Sequence, residues 1–182
     1  MQEIDLNNLN VVPLDQTHRH LLGSFHSGNA YLDGFMHRGE AYDVGFGRTY
    51  LWLTKSNDTI CGYYNLSTGY IEQLDEDRRV RAGGSIHVNG FALDEKWRGH
   101  VLVDNGDGDK ITLADVLLDE CLKRIEKFRE QIGFSFVTLC ATKEGYSLYA
   151  RNNFYPLESD MAFVDKQHDN DSGTPMYMPL DY

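Results

Sequence analysis

Apolar and polar positions predict a strand–helix–strand–helix unit over residues 85–153. A run of β-branched and apolar residues over 86–94 predicts the first strand. Gly90, inside this run, indicates a bulge or the close approach of a ligand. A second apolar run over 134–140 predicts another strand, and residues 143–152 predict a short helix. A unit of this kind brings a helix N-terminus to a loop, which is a geometry that binds anions.

The long helix of this unit follows a glycine- and aspartate-rich loop over 94–111. Thr112 is the predicted N-cap, and Asp115, three residues on, is suited to complete a capping box and to interact with the helix dipole. The apolar residues of the helix recur at spacings of three and four and form one stripe, which comprises Leu113, Leu117, Cys121, Ile125, Phe128 and Ile132.

The first half of the chain predicts a β-hairpin. Residues 48–54 and 59–73 are rich in β-forming side chains, and the polar turn 56–58 lies between them. A short strand over 10–14 precedes the hairpin, and Pro13 suits an edge position because proline has no N–H for a neighbouring strand.

Shorter or more polar segments complete the predicted order of elements. Asp15 or Thr17 is expected to cap a short helix, and a further helix is predicted over 29–42. The mixed-charge, glycine-ended stretch 72–84 predicts a mobile loop, and 165–174 a long turn before a final strand. The order is strand, helices, three strands, helix, strand, helix and two strands, which indicates an α/β domain with a mixed sheet.

Length and composition are those of an ordinary globular protein. The 182 residues predict one domain over 1–182, and 41% hydrophobic and 25% charged residues are typical values. Seventeen basic and 28 acidic residues give a net charge of −11, which disfavours general nucleic-acid and membrane binding, although a local basic face stays open. Three cysteines without C-x-x-C spacing predict reduced, buried thiols, and the absence of an apolar run of membrane-spanning length predicts a cytoplasmic protein.

Four segments resemble the GNAT superfamily of acyl-CoA-dependent N-acetyltransferases. Residues 146–154 resemble the "LYEKxGF" segment of that family, and 117–122 resemble its long helix on the cofactor side. Residues 25–36 are similar to the "FxCGxxxLDxFL" opening of one branch, which includes tRNA-acetylating toxins, and 176–180 resemble the closing strand of that branch. The resemblance implies the GNAT acyl-CoA N-acyltransferase fold, a mostly antiparallel mixed sheet flanked by helices, with acetyl-CoA as the acyl donor.

Tyr149 matches the family's general acid. The resemblance implies that its phenol protonates the departing CoA thiolate, and a phenol with a pKa near 10 is protonated at neutral pH. Asn153 and Phe154 stand in the place of the family's Gly-Phe, and asparagine tolerates a left-handed backbone better than most residues. The alternative is that Tyr149 is a helix aromatic that packs against the sheet.

The cofactor loop departs from the family pattern. Residues 109–114 align with (Arg/Gln)-x-x-Gly-x-(Gly/Ala): Ala114 fits, Thr112 replaces the glycine, and Asp109 replaces the arginine or glutamine. Residues 100–109 form an insertion, whose aspartates do not follow the order of an EF-hand, so no metal site is predicted. A decorated loop that no longer binds CoA is the alternative interpretation.

We expect the insertion to bulge outward as a solvated turn. The backbone N–H groups of Thr112, Leu113 and Ala114 would then be free to bind the pyrophosphate of CoA. Lys110 would be the cationic side chain nearest to the pyrophosphate. Asp104 and Asp107 of the insertion carry negative charge, which would repel it.

The family also implies contacts for the pantetheine arm of CoA. Phe91, Ala92 and Leu93 occupy the strand beside which pantetheine adds through backbone groups. Thr142, seven residues before Tyr149, stands where an asparagine often bonds pantetheine. His87 has a suitable unperturbed pKa for a general base, but a lone strand histidine is more often structural.

These residues favour an acetyl-CoA-dependent N-acetyltransferase that acts on a primary amine of a small molecule, a peptide or an aminoacyl group. Two alternatives stay open: a non-catalytic GNAT-like binding protein and a toxin-type aminoacyl-tRNA acetyltransferase. The net charge of −11 argues against the second alternative, because tRNA recognition uses phosphate contacts. A homodimer is a further possibility.

Overall fold

The computed structural model describes residues 5, 6, 8–104, 106, 110–164 and 173–180. Within them, the α-helices are Arg19–Leu22 (α1), Ala30–His37 (α2), Leu113–Arg129 (α3) and Tyr146–Arg151 (α4). The strands are Val11–Pro13 (β1), Arg48–Leu53 (β2), Ile60–Asp75 (β3), Arg78–Leu93 (β4), Val101–Asp104 (β5), Lys110–Thr112 (β6), Phe136–Ala141 (β7), Tyr155–Pro156 (β8), Met161–Val164 (β9) and Thr174–Pro179 (β10).

Eight strands form one sheet in the order β1-β2-β3-β4-β7-β10-β8, and β9 pairs with β3. The pairing of β4 with β7 is parallel, with Ser85 opposite Phe136 and Val88 opposite Leu139. The pairs β1–β2, β3–β9, β7–β10 and β8–β10 are antiparallel. Strands β5 and β6 form a separate two-stranded sheet. The prediction of an α/β fold with a mixed, mostly antiparallel sheet is therefore confirmed.

Contacts divide the chain into two compact units, residues 1–65 with 90–123 and residues 66–89 with 124–182. The expectation of a single domain stays a prediction. In the first unit, buried residues of α1, α2 and the neighbouring strands form an apolar core, which comprises Leu14, Leu21, Leu22, Phe25, Phe35, Met36, Ala41, Leu51, Leu53, Ile60, Tyr63 and Ala92.

Tyr63 lies at the centre of this core. Its ring meets Phe25 edge-on at 5.3 Å between centroids and stacks with Phe35 at 5.9 Å. Its hydroxyl donates to the carbonyl of Leu32 at 3.0 Å, so the one polar atom of the side chain is paired. Tyr63 thereby fixes α2 against β3.

The caps of the first unit follow the sequence. The Asp15 side chain accepts the N–H of Thr17 and begins the predicted short helical segment. Asn29 caps α2 by accepting from the amides of Tyr31 and Leu32. The predicted helix over 29–42 is too long, however: α2 ends at His37, and Gly39 with φ 84 breaks it before a 3-10 turn at Glu40–Tyr42. Glycine adopts this left-handed conformation without a Cβ clash, which is why helices stop there.

The prediction of a mobile loop over 72–84 is wrong. Strand β3 continues to Asp75, and β4 begins at Arg78 after a two-residue turn in which Glu76 has φ 53. Strand β9 pairs with β3 between Tyr70 and Gln73, and the guanidinium of Arg81 lies 5.0 Å from the centroid of the Tyr70 ring. These non-local contacts order a segment whose composition resembles that of a loop.

The remaining predictions concern the second half and the thiols. Three short strands follow α4, rather than the two predicted, and residues 165–172 of the predicted turn lie outside the described part of the chain. Cys61 and Cys121 are buried, as predicted, whereas Cys140 is only half-buried. Among the described residues, no helix has the length and apolar character needed to cross a membrane.

Candidate functional site

Tyr149 lies near the end of α4 in the second unit. Its side chain is 7% exposed, and its ring meets Phe154 edge-on at 5.7 Å between centroids. The N–H of Phe154 donates to the carbonyl of Tyr149 at 3.1 Å. Asn153 has φ 66, so the chain reverses through a left-handed residue where the resemblance placed asparagine for glycine. The turn after α4 thereby fixes the Tyr149 ring, and the general-acid role stays a prediction.

Thr142 and Gly145 lie beside Tyr149 in the same unit. The hydroxyl oxygen of Thr142 accepts the N–H of Gly145 at 3.1 Å. A Cβ on Gly145 would lie 3.3 Å from Cε2 of Tyr149 and 3.2 Å from Oγ1 of Thr142. Gly145 therefore allows the threonine and the tyrosine ring to approach each other. The sequence motifs did not indicate Gly145, because its role depends on the close approach of Thr142 and the Tyr149 ring, which only the folded structure shows.

We expect the backbone at Asn153 to restrict substitution. Asn153→Gly should change the free energy of unfolding by less than about 1 kcal/mol, because glycine adopts positive φ readily. Asn153→Val should destabilise the protein by about 2 kcal/mol, because a β-branched residue is strained at this φ. Urea unfolding of both variants measures the difference. Equal midpoints for the valine and glycine variants would contradict the strain at this position.

The predicted pantetheine strand lies at the end of β4 in the first unit. Phe91 is half-buried, and Ala92 and Leu93 are each 6% exposed. A Cβ on Gly62 of β3 would lie 2.7 Å from the carbonyl oxygen of Ala92, so glycine is needed for this close pairing. Gly90 packs against Tyr63, whose Cε2 would lie 3.2 Å from an added Cβ. Close packing of Tyr63 therefore accounts for Gly90 without a ligand.

Asp94, which the sequence reasoning did not single out, anchors the segment after α1. The side chain is 2% exposed. Its Oδ2 accepts the N–H of His26 at 3.0 Å, and its Oδ1 accepts the N–H of Lys96 at 3.1 Å. The N–H of Glu95 donates to the carbonyl of His26 at 2.8 Å. An aspartate directly after an apolar strand was the available sequence signal for such a cap.

Residues 101–104 of the insertion form the exposed strand β5, which pairs with β6 after the insertion. Strands β5 and β6 are antiparallel, with Val101 opposite Thr112 and Asp104 opposite Lys110. The Nζ of Lys110 lies 3.0 Å from Oδ2 of Asp104, so the cation expected for pyrophosphate already has an acidic partner. The residues of β5 are exposed, and Asp107 and Asp109 lie outside the described residues.

The start of α3 is capped as predicted, but its amides are not all free. The backbone N–H and the hydroxyl of Thr112 donate to Oδ2 of Asp115 at 2.8 and 2.7 Å. The N–H of Leu113 donates to the carbonyl of His100 at 3.2 Å. The expectation of three free amides at Thr112, Leu113 and Ala114 is therefore wrong for the first two. Asp115 of α3 binds the first amide, and His100 at the start of the insertion binds the second.

His87 is a buried histidine of the second unit. It is 1% exposed, and its Nδ1 lies 2.9 Å from Oγ1 of Thr138. Its ring centroid lies 4.8 Å from that of Phe163. These contacts are those of a structural core histidine, which was the alternative to a general base.

Burial raises the pKa of the Cys61 thiol from 9.0 to about 12, and the negative charges of Asp94 and Asp58 add to the rise. At pH 8 roughly one Cys61 in ten thousand would be a thiolate, which is the reactive form. A thiol reagent should therefore modify Cys61 only after unfolding. Because unfolded Cys61 loses its proton at lower pH than the folded thiol, this group should also lower stability as the pH rises above 9.0. Rapid modification of Cys61 in the folded protein, located by peptide mass, would contradict both expectations.

The fold of this chain occurs in solved toxin structures. No family model and no curated protein matches the sequence. The crystal structure of AtaTR bound with AcCoA is 16% identical, with 95% of this chain and 94% of that chain covered and a TM-score of 0.68. A tyrosine-to-phenylalanine mutant of the AtaT toxin is 14% identical, with 98% and 93% covered and a TM-score of 0.69. AtaT complexed with acetyl-methionyl-tRNAfMet is 15% identical, with 94% and 95% covered and a TM-score of 0.65. The likeness shows the fold, which is the predicted GNAT fold.

Proposed function

We propose that this chain is an acetyl-CoA-dependent N-acetyltransferase that acts on a primary amine. The observation that carries the proposal is the fold, shared over 95% of the chain with a structure bound with AcCoA. The ordered turn around Tyr149 in the second unit supports it, because Tyr149 lies within residues 146–154, the segment that resembles the family's general-acid motif. The AtaT toxin, which has a similar fold, was solved as a tyrosine-to-phenylalanine mutant, the same type of change that would test Tyr149 here.

In the proposed reaction, the amine nitrogen attacks the thioester carbonyl carbon and forms the new C–N bond. Backbone amides of the Phe91–Ala92–Leu93 segment polarise the carbonyl oxygen as negative charge develops on it. When the C–S bond breaks, the Tyr149 hydroxyl donates its proton to the departing sulfur. The surplus amine proton passes to solvent, and the Tyr149 phenolate takes a proton back from solvent, so the net products are the amide and the CoA thiol. The Thr142 hydroxyl, whose oxygen accepts from Gly145, still has a proton to donate to pantetheine.

The start of α3 fits the pyrophosphate of CoA less well. Ala114, Lys110, Thr112 and Leu113 were expected to bind it, yet the amides of Thr112 and Leu113 already donate within the chain. Lys110 is paired with Asp104. These contacts favour a second candidate function, that of a GNAT-like binding protein whose cofactor loop has become unsuited to CoA.

A third candidate function is acetylation of aminoacyl-tRNA, in which the amine of the aminoacyl group accepts the acetyl group. AtaT, which has this fold, was solved with acetyl-methionyl-tRNAfMet. The net charge of −11 opposes it, because tRNA binding gains much of its free energy from phosphate contacts. Binding to aminoacyl-tRNA that weakens steeply with salt, together with growth arrest on expression, would support this acceptor.

Calorimetric titration with acetyl-CoA separates the first two candidates. Saturable binding, followed by amine-dependent release of the CoA thiol, is expected of the enzyme. We would test an amino acid amide, a peptide amine and aminoacyl-tRNA as acceptors. A well-folded protein that shows no saturable binding of acetyl-CoA would overturn the enzyme proposal and leave the binding protein.

A further inference from the structure

A pocket of about 360 Å³ lies in the first unit, between α1 and the end of α2. Ligand pockets in proteins are commonly of about this size or somewhat larger. The pocket is independent of every residue assigned to acetyl transfer above. Its polar lining comprises Gln16, Arg19, His37, Arg38 and Tyr42.

The charge of the lining is opposite to that of the protein. Arg19 and Arg38 line the pocket, and none of its lining residues is acidic, although the chain has a net charge of −11. Of the nearby carboxylates, Glu40 lies 3.6 Å from Nε of Arg38 and so pairs with one of these two arginines, whereas Asp15 accepts from Thr17. The guanidinium of Arg38 lies against Gly34 and beside Glu40, so Arg19 is the cation that the pocket offers a ligand, and a guanidinium suits a carboxylate or a phosphate.

Leu22 and Met36 give the pocket an apolar wall. Both side chains are buried, at 5% and 0% exposure, and both line the pocket. A pocket with one apolar wall and a few convergent polar groups is typical of small-molecule sites. This wall favours an anion with an apolar part over a free inorganic ion.

Tyr42 supplies a donor without an acceptor. Its hydroxyl is buried and has no hydrogen-bond partner among the described residues. Buried polar atoms are rarely left unpaired. Burial raises the pKa of this phenol, and the negative charge of Asp15 adds to the rise while Arg19 opposes it, so the group is a proton donor at neutral pH. A ligand oxygen would reach it after a change of rotamer at the pocket wall, which is common on binding.

We propose that this pocket binds a small organic anion, whose carboxylate or phosphate group contacts Arg19 and the Tyr42 hydroxyl while its apolar part packs on Leu22 and Met36. The pocket shares no lining residue with the proposed acetyl transfer. Binding should therefore survive Tyr149→Phe, which keeps failure of this proposal distinguishable from failure of the enzyme proposal.

Calorimetric titration with hexanoate, hexyl phosphate and hexanol tests the proposal. At least one of the two anions should bind at least about tenfold more tightly than hexanol, because hexanol lacks the charge-assisted hydrogen bonds. The tighter of the two anions identifies the group as carboxylate or phosphate. Arg19→Gln should weaken that anion about tenfold or more, and Tyr42→Phe about threefold to tenfold.

Arg79→Gln is the matched control, because it removes the same charge from an exposed arginine of the other unit. It should leave binding unchanged. Equal loss in Arg19→Gln and Arg79→Gln would show a general charge effect and overturn the proposal. So would hexanol binding as tightly as both anions, or no saturable binding of either anion to the wild-type chain.

Discussion

Tyr149→Phe should lower the rate of acetyl transfer by about 10²-fold or more, while acetyl-CoA binds with nearly unchanged affinity. The phenylalanine removes only the hydroxyl that the proposal assigns to protonation of the thiolate. Its ring retains the edge-on contact with Phe154 and the space that Gly145 provides. Single-turnover release of the CoA thiol, with whichever amine supports turnover, measures the chemical step separately from binding.

Tyr146→Phe is the matched control for this prediction. Tyr146 lies one turn earlier on α4 and is 36% exposed, so the same loss of a hydroxyl there should leave the rate unchanged. Near-full turnover in Tyr149→Phe would remove Tyr149 from the mechanism. A parallel thermal melt separates lost chemistry from lost folding.

Local rules of capping and periodicity predicted the parts of the fold that depend on neighbours in sequence. The Asp15 and Thr112 ends formed as expected, because a cap needs only a side chain and the amides two or three residues away. The apolar stripe of α3 predicted buried positions at Leu117, Cys121 and Ile125 for the same reason. These signals are short-range, so they can be recognised in a short segment without knowledge of the rest of the chain.

Strand pairing of charged segments could not be predicted in this way. Residues 72–84 carry mixed charge and end in glycines, yet they belong to β3 and β4. Partners distant in sequence bind both ends of the segment: β9 pairs with Glu72 and Gln73, and the N–H of Ser135 donates to the carbonyl of Gly84. The turn at Glu76 lacks the glycine or asparagine that normally marks a tight hairpin. The hairpin of β5 and β6 escaped prediction in the same way, because its aspartates and glycines are typical of a loop.

In the candidate site, too, the features set by neighbours in sequence were predictable and those set by distant contacts were not. The turn through Asn153 was predictable, because the left-handed conformation selects a residue type that is visible in the sequence. The bond from the Thr112 amide to Asp115 was also predictable, because it belongs to a local capping box. The occupied Leu113 amide was not, because the carbonyl of His100 lies near it only through the pairing of β5 with β6. Backbone groups carry no residue-type signal, so their availability depends on the folded structure.

Shortening residues 100–109 to a two-residue turn should tighten the binding of acetyl-CoA about tenfold. The deletion removes the His100 carbonyl that accepts from Leu113 and the Asp104 carboxylate that pairs with Lys110. An amide and an ammonium group would then be released at the start of α3, and hydrogen bonds to a charged phosphate are worth more than neutral ones. Calorimetry on the shortened and full chains gives the ratio of the two affinities.

Two point variants separate the contributions within this prediction. Asp104→Asn retains the hairpin but frees Lys110, so it should tighten binding less than the deletion does. Lys110→Glu should weaken binding, because a carboxylate within about 4 Å of a phosphate repels it by about 1 kcal/mol even in water-like surroundings. The bond from Thr112 to Asp115 lies outside the deleted segment, so the capped helix should stay intact and the melting transition should stay cooperative. If the shortened chain melts normally but binds acetyl-CoA more weakly than the full chain, the hairpin contributes to the site instead of obstructing it. If neither chain binds, the start of α3 is not a phosphate site and the non-catalytic interpretation gains the stronger support.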